Sequence, residues 1–275
     1  MKAALLQMTS GIDAAANAQT LADAIATAGS RGVDALFAPE MSGLLDRDRE
    51  RSASRIVTEA DSPVLDAVRN AAAAAGLWVH LGSLPLLSET GTGRRVNRSL
   101  VIDSAGAIVA RYDKMHRFDV DLASGEAWRE SAIYDAGDTA IAVDTPWGRL
   151  GLAICYDLRF PALFEALGRA RCDMIALPSA FTVPTGRAHW EVLLRARAIE
   201  SSCFIIAAAQ TGLHADDRET WGHSLVVDPW GEVVHDSGRE AGLALVDIAL
   251  ARVAEVRAQI PALDHRRAIG DVTIA

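Results

Sequence analysis

Cys155 is the residue of this chain whose surroundings most suggest chemistry. It closes the apolar run Gly151-Leu152-Ala153-Ile154 and is followed at once by Tyr156-Asp157-Leu158-Arg159-Phe160-Pro161, where a buried strand gives way to polar residues and then to a helix. A cysteine at the end of an apolar strand is usually a small core residue. At a strand-to-helix turn, however, backbone N–H groups and the helix dipole favour the nucleophilic thiolate and can bind an oxyanion. Cys172 and Cys203 lack this context and are expected to be structural. Glu40, after Ala38-Pro39, and Lys114, after Tyr112-Asp113, share with Cys155 the position just past an apolar strand. Taken singly, each reads as a solvated surface charge.

The elements that must position these residues alternate along the whole chain, short β-branched runs with alanine-rich helical stretches, which argues for an α/β or layered α+β fold. A first strand ends at Met8, and residues 13–28 read as a helix stopped by Gly29 and Gly32. A strand over residues 33–38 stops at Pro39 and delivers Glu40. Asp61-Ser62-Pro63 reads as a helix start, Gly76 as its end, and residues 77–84 as the returning strand. A hairpin of residues 95–102 and 107–112, turning at Asp103-Ser104-Ala105-Gly106, delivers Lys114; a second, turning at Thr145-Pro146-Trp147-Gly148, delivers Cys155. Residues 160–170 and 187–201 read as helices, residues 174–177 and 204–210 as strands, and Asp228-Pro229-Trp230-Gly231 as a further hairpin turn. The charged, aperiodic segment 113–138 is long enough to be a functional loop. So many hairpins require sheets that are partly antiparallel, and the helices must cover sheet faces. Two packed sheets with helices outside satisfy both demands.

The 275 residues, half of them hydrophobic, suffice for one domain, 1–275, with a full core. A formal charge of -9 with acids and bases interspersed leaves no basic stripe for nucleic acid. No apolar stretch approaches the roughly 20 residues of a membrane span, and the amino terminus reads as a strand rather than a signal segment, so a cytoplasmic protein is expected. Three cysteines without C-x-x-C spacing suit a reducing compartment and no disulfides. No P-loop, G-x-S-x-G elbow or H-E-x-x-H motif occurs. His223, Ser224 and Asp228 supply the letters of a serine triad, but nothing forces them to converge. Asn97-Arg98-Ser99 matches a glycosylation sequon that means nothing without secretion.

Glu40, Lys114 and Cys155, in that chain order and with their flanks, resemble the nitrilase superfamily of carbon–nitrogen hydrolases. Pro39-Glu40 looks like its glutamate motif, Tyr112-Asp113-Lys114-Met115-His116 like its lysine motif, and residues 151–161 like its cysteine motif. Further matches are Phe118-Asp119-Val120-Asp121, Arg129-Glu130-Ser131, Ala188-His189-Trp190-Glu191, Arg195-Ala196-Arg197-Ala198-Ile199-Glu200 and Trp221-Gly222-His223-Ser224. Asp113, where the family often has arginine, and Arg117, where an apolar residue is usual, depart from the pattern. The resemblance implies an αββα sandwich, a homodimer or higher homo-oligomer through helices 160–170 and 187–201, and no metal or organic cofactor.

It also implies a cysteine-dependent amidase working through a thioester acyl-enzyme. Cys155 would attack the carbonyl and Glu40 carry the proton. Lys114 with the Tyr156 N–H would stabilise the oxyanion, and Glu130 would orient Lys114 or the substrate. The ATP-dependent synthetases, with their second domain, and the membrane acyltransferases are excluded, and residues 155–161 look more like the amidases than the nitrile hydrolases. Pro178-Ser179-Ala180-Phe181, residues 188–197 and Ala207-Ala208-Ala209-Gln210 resemble the branch acting on deaminated glutathione; ω-amidases of 2-oxo acid amides come next and N-carbamoyl-amine hydrolases third. Arg129, Phe181 and Arg187 are the expected substrate contacts, with segments 113–138 and 181–186 as cavity walls. A catalytically idle member that binds a metabolite or protein partner is the alternative from another class.

Overall fold

In a computed structural model, which describes residues 1–121, 125 and 127–274, two mixed sheets lie face to face with helices on their outer sides. The first sheet runs Gly242–Asp247, Lys2–Gln7, Ala35–Phe37, Trp78–His80, Arg95–Ile102 and Leu84–Leu87, with Ile108–Asp113 also paired to Arg95–Ile102. The second runs Val233–Asp236, Leu225–Val227, Phe204–Ala207, Met174–Ala176, Gly148–Leu152 and Ala142–Thr145. The three central strands of each half are parallel and hairpins extend both sheets antiparallel. This is the expected αββα arrangement.

Strand periodicity explains the layering. In Lys2–Gln7 every residue after the first is buried, yet Ala3 and Leu5 join the core between the sheets while Ala4 and Leu6 face the helices. A strand covered on both faces reads as a continuous apolar run because alternate side chains enter different cores. Helices α1 (Ala14–Ser30) and α3 (Pro63–Ala75) cover the first sheet, and the short α2 (Arg49–Ala53) lies between them in sequence. Helices α4 (Pro161–Arg169) and α5 (Val183–Ser201) cover the second, and α6 (Ala251–Gln259) packs Val253 into the same core. Complete burial of a leucine or isoleucine contributes roughly 1.5–3 kcal/mol. Leu21, Leu36, Ile25 and Ile205, all fully buried, therefore bind helices to sheets.

Several boundaries differ from the sequence reading for identifiable reasons. Gly29 lies inside α1, where a Cβ would come within 2.9 Å of the Ala75 Cβ, so this glycine permits close approach of α1 to α3 instead of ending the helix. Helix α5 begins at Val183 with Pro184 in its first turn, so residues 183–186 of segment 181–186 are helix. The expected strand 77–84 breaks after His80 and resumes at Leu84. Segment 113–138 contains a small hairpin, Asp119–Asp121 with Ala127–Arg129; residues 122–124 and 126 of that expected wall lie outside the described residues. A hairpin of Thr211–Leu213 and Glu219–Trp221, and the carboxyl-terminal Gly242–Asp247 strand with α6, were not anticipated.

Candidate active site

The broken strand explains where Glu40 sits. Gly82 has φ +73°, and a Cβ there would stand 2.0 Å from the Pro39 carbonyl oxygen, so the chain yields at Gly82 to let the Ala38-Pro39-Glu40 turn pass. Gly82→Ala combines a left-handed backbone with an overlap against fixed backbone. A loss of at least about 2 kcal/mol is expected in urea unfolding, with catalytic rate falling in parallel as Glu40 is displaced. Glu40 is 4% exposed and each of its oxygens is engaged. Oε1 accepts from Lys114 Nζ at 2.9 Å and from Asn97 Nδ2 at 2.9 Å, and Oε2 accepts from the Ala180 N–H at 3.0 Å. Gln210 Nε2 donates to the Glu40 carbonyl at 2.9 Å, tying the two sheets together at this point.

Lys114 follows Ile108–Asp113 and is anchored through its own N–H to the Asn97 carbonyl at 2.9 Å. Its ammonium, 3% exposed as a residue, donates to Glu40 and to both oxygens of Glu130, at 3.0 and 3.2 Å. Burial alone would push the Lys114 pKa down, but Glu130 and then Glu40 raise it well above the ordinary lysine value. Glu130 is fixed in turn by the Phe118 N–H, which donates to its Oε2 at 2.6 Å. Asp113, the departure noted in the lysine motif, forms a paired contact with Arg98 at 2.8 and 3.0 Å.

Cys155 follows Gly148–Leu152 and opens a five-residue 3-10 turn, Cys155–Arg159. Its φ of +49° is in the left-handed region, uncommon for a side chain with a Cβ and costing roughly 1–2 kcal/mol. That reversal takes the sulfur out of the strand direction, while the Cys155 N–H donates to the Pro178 carbonyl at 3.0 Å. Asp157, fully buried, fixes the turn: it accepts from the Ile154 N–H at 2.9 Å, from Tyr112 Oη at 2.7 Å and from the His116 N–H at 3.0 Å. The sulfur's electrostatics depart from the sequence reading. Burial, and then the nearby Glu40 carboxylate, push the thiol pKa well above its ordinary value, with Lys114 opposing. The 3-10 turn stands between the sulfur and α4, which starts only at Pro161. Burial and the Glu40 carboxylate both favour the thiol over the thiolate, and Glu40 lies beside it.

Glu40, Lys114, Glu130, Cys155 and Tyr156 all line one cavity of about 690 Å³. The model of the carbon–nitrogen hydrolase family matches residues 2–258. The chain belongs to the carbon–nitrogen hydrolase family. It is 40% identical over 270 residues to a deaminated glutathione amidase of Yersinia enterocolitica, covering 98% of this chain and 94% of that protein. The nitrilase and fragile histidine triad fusion protein of Caenorhabditis elegans has a crystal structure that superposes with a TM-score of 0.88 at 39% identity, over 97% of this chain. The match spans only 65% of that longer chain, just under two thirds. Saccharomyces cerevisiae Nit3, a member of branch 10 of the nitrilase superfamily, superposes with a TM-score of 0.85 at 26% identity over 95% of this chain and 94% of its own.

Placed in this hydrolase cavity, the expected substrate contacts separate. Phe181, 7% exposed, lines the wall against Trp190, with ring centroids 4.9 Å apart. Arg129 lines the rim, but both its Nη2 contacts go to Asp121, at 2.8 Å, so its charge is already paired. Arg187 does not line the cavity; it lies on the exposed face of α5, with its guanidinium 5.8 Å from the Trp221 ring centroid. His223, Ser224 and Asp228 diverge as expected: His223 bonds Asp236, Ser224 bonds Gln7, and Asp228 caps its own turn. Asn97 and Gln210, which bond Glu40, and Arg95, Tyr134 and Arg218, which line the cavity, belong to the site without any catalytic motif that marks them. The signal for Asn97 was its place in a strand otherwise nearly all buried, where an amide needs a partner.

Proposed function

We propose that this chain hydrolyses a small anionic carboxamide through a thioester on Cys155, and that deaminated glutathione is its substrate. The observation that carries the chemistry is the meeting of a buried thiol, a fully bonded carboxylate and an ammonium on one cavity wall. Cys155 Sγ bonds to the amide carbon as its proton passes to Glu40. The resulting oxyanion is held by Lys114 Nζ and the Tyr156 N–H. Collapse breaks the carbon–nitrogen bond, and Glu40 returns the proton to the departing amine. Water then attacks the thioester while Glu40 takes its proton, and the released thiolate recovers that proton as the acid leaves. Glu130 keeps Lys114 directed at the reacting centre. A cavity of about 690 Å³ admits a leaving group larger than ammonia, which favours a peptide-bearing amide over a simple ω-amide.

The test is kcat/KM for deaminated glutathione against 2-oxoglutaramate, an N-carbamoyl amine and a nitrile. Deaminated glutathione should lead by at least about tenfold. A lead for any other compound overturns the substrate while leaving the Cys155 chemistry in place. We further propose that residues 1–275 act as one catalytic domain in the cytoplasm, where three free cysteines suit the redox state. A homodimer through α4 and α5 would cover Val192 and Ile199, exposed at 62% and 52%. No helix among the described residues is long and apolar enough to cross a membrane.

A further inference from the structure

The hairpin of Thr211–Leu213 and Glu219–Trp221 carries a turn that none of the proposed chemistry uses. His214 fixes it, with Nδ1 2.9 Å from the Ser10 carbonyl and Nε2 2.8 Å from Thr220 Oγ1. The turn presents Arg218 to the same cavity that holds Cys155. The Arg218 guanidinium lies 4.5 Å from the Trp128 ring centroid, and its one carboxylate contact among the described residues is a 3.3 Å bond from Nη2 to Asp216. Asp216 is shared, since it also accepts the Arg47 N–H at 2.9 Å. Arg218 Nε and Trp128 Nε1, both donors, are buried without a hydrogen-bond partner among the described residues. Burial pushes the Arg218 pKa down, with Asp216 only partly opposing.

The neighbouring wall has the same sign. Arg95, also lining the cavity, donates to neutral oxygens, Ser52 Oγ and the Arg49 carbonyl, each at 3.2 Å, and forms no salt bridge among the described residues. The acids on the cavity lining are otherwise engaged: Glu40 and Glu130 bond Lys114, and Asp46 pairs with Arg51. A guanidinium taken from water needs an anion with planar oxygens to complete its bonds.

We propose that Arg218, supported by Trp128, binds a carboxylate carried by the leaving amine, so that the cavity selects amides whose amine portion ends in an acid, as a dipeptide does. The inference rests on the amidase reading and adds the part of the substrate that is recognised. Two residues of extended chain span about 7 Å, the distance from a scissile carbonyl to the terminal acid of a dipeptide leaving group.

The experiment compares deaminated glutathione with its glycinamide form, in which the terminal carboxylate is a neutral carboxamide and the acyl half is unchanged. Wild-type enzyme should prefer the carboxylate by about 10- to 100-fold in kcat/KM, the range for a charge-assisted contact in a partly buried site. In Arg218→Gln that preference should collapse to near unity, and Arg218→Lys should retain part of it. A preference unchanged in Arg218→Gln, or none in the wild type, overturns the inference. The wild-type comparison needs no variant, so the question stays open to test if Arg218→Gln does not fold. Failure of the wild type to cleave either compound while it cleaves an N-carbamoyl amine overturns the substrate reading instead, and this inference with it.

Discussion

Cys155→Ala should lower amide hydrolysis by at least about 10⁴-fold while leaving a folded protein. The side chain loses one sulfur, and the residue keeps its N–H bond to the Pro178 carbonyl. The turn around it is held by Asp157, whose four bonds to Ile154, Tyr112 and His116 do not involve Cys155. Alanine at φ +49° meets the same backbone cost as cysteine, so the melting temperature should move by only a few degrees. The other two cysteines provide the contrast. Cys172 and Cys203 are fully buried, and burial is the first cause raising both thiols, Cys172 to about 11. Their alanine variants should keep turnover and lose roughly 1 kcal/mol or more of stability through lost packing. Ammonia or amine release, measured beside melting curves, separates the three. Activity of Cys155→Ala comparable to wild type would falsify the acyl-enzyme mechanism.

The sequence revealed strand ends better than it revealed what surrounds them. Glu40, Lys114 and Cys155 were legible because each follows an apolar strand and carries a family-like flank, and a strand end is a local property. Glu130 was legible only from its flank, since it lies on a short 3-10 turn inside an irregular segment. What could not be read was convergence: Gln210 is 170 positions from Glu40 yet bonds its carbonyl, and Ala180 is 140 positions away yet bonds its carboxylate. The surroundings of the Cys155 sulfur were hidden for the same reason. Local pattern points to a helix N-terminus favouring thiolate, whereas burial and the Glu40 carboxylate, which favour the thiol, come from packing of one sheet on the other. Arg187 shows the cost of a one-turn error in a helix start. The helix begins four residues earlier than the pattern suggests, and Arg187 lies within it against Trp221 and not on the cavity wall.

Glu40→Gln and Lys114→Met should each lower turnover by about 10²- to 10⁴-fold, for different reasons and with different signatures. Glutamine keeps an oxygen for Lys114 and Asn97, but its amide nitrogen would then face the Ala180 N–H, a donor against a donor. A stability cost of about 1–3 kcal/mol is expected with the loss of the base. Since burial and Glu40 both favour the thiol form of Cys155, iodoacetamide labelling of Cys155 near neutral pH should slow in step with hydrolysis when the base is lost. Lys114→Met removes the cation between Glu40 and Glu130 and leaves two buried carboxylates facing each other, at a cost of about 3–5 kcal/mol. The pH dependence follows in sign. In wild type the raised Lys114 pKa gives stability that is fully present below the unfolded lysine value, about 10.4, and is lost only as pH rises through the higher folded value. In Lys114→Met the two carboxylates instead hold a proton more tightly folded than unfolded, so the variant should lose stability as pH rises from 5 to 8, where wild type gains no such penalty. Urea unfolding at those two pH values, alongside the kinetics, checks both parts. Near-normal turnover in a folded Glu40→Gln or Lys114→Met protein would reduce that residue to a structural member of the charge cluster.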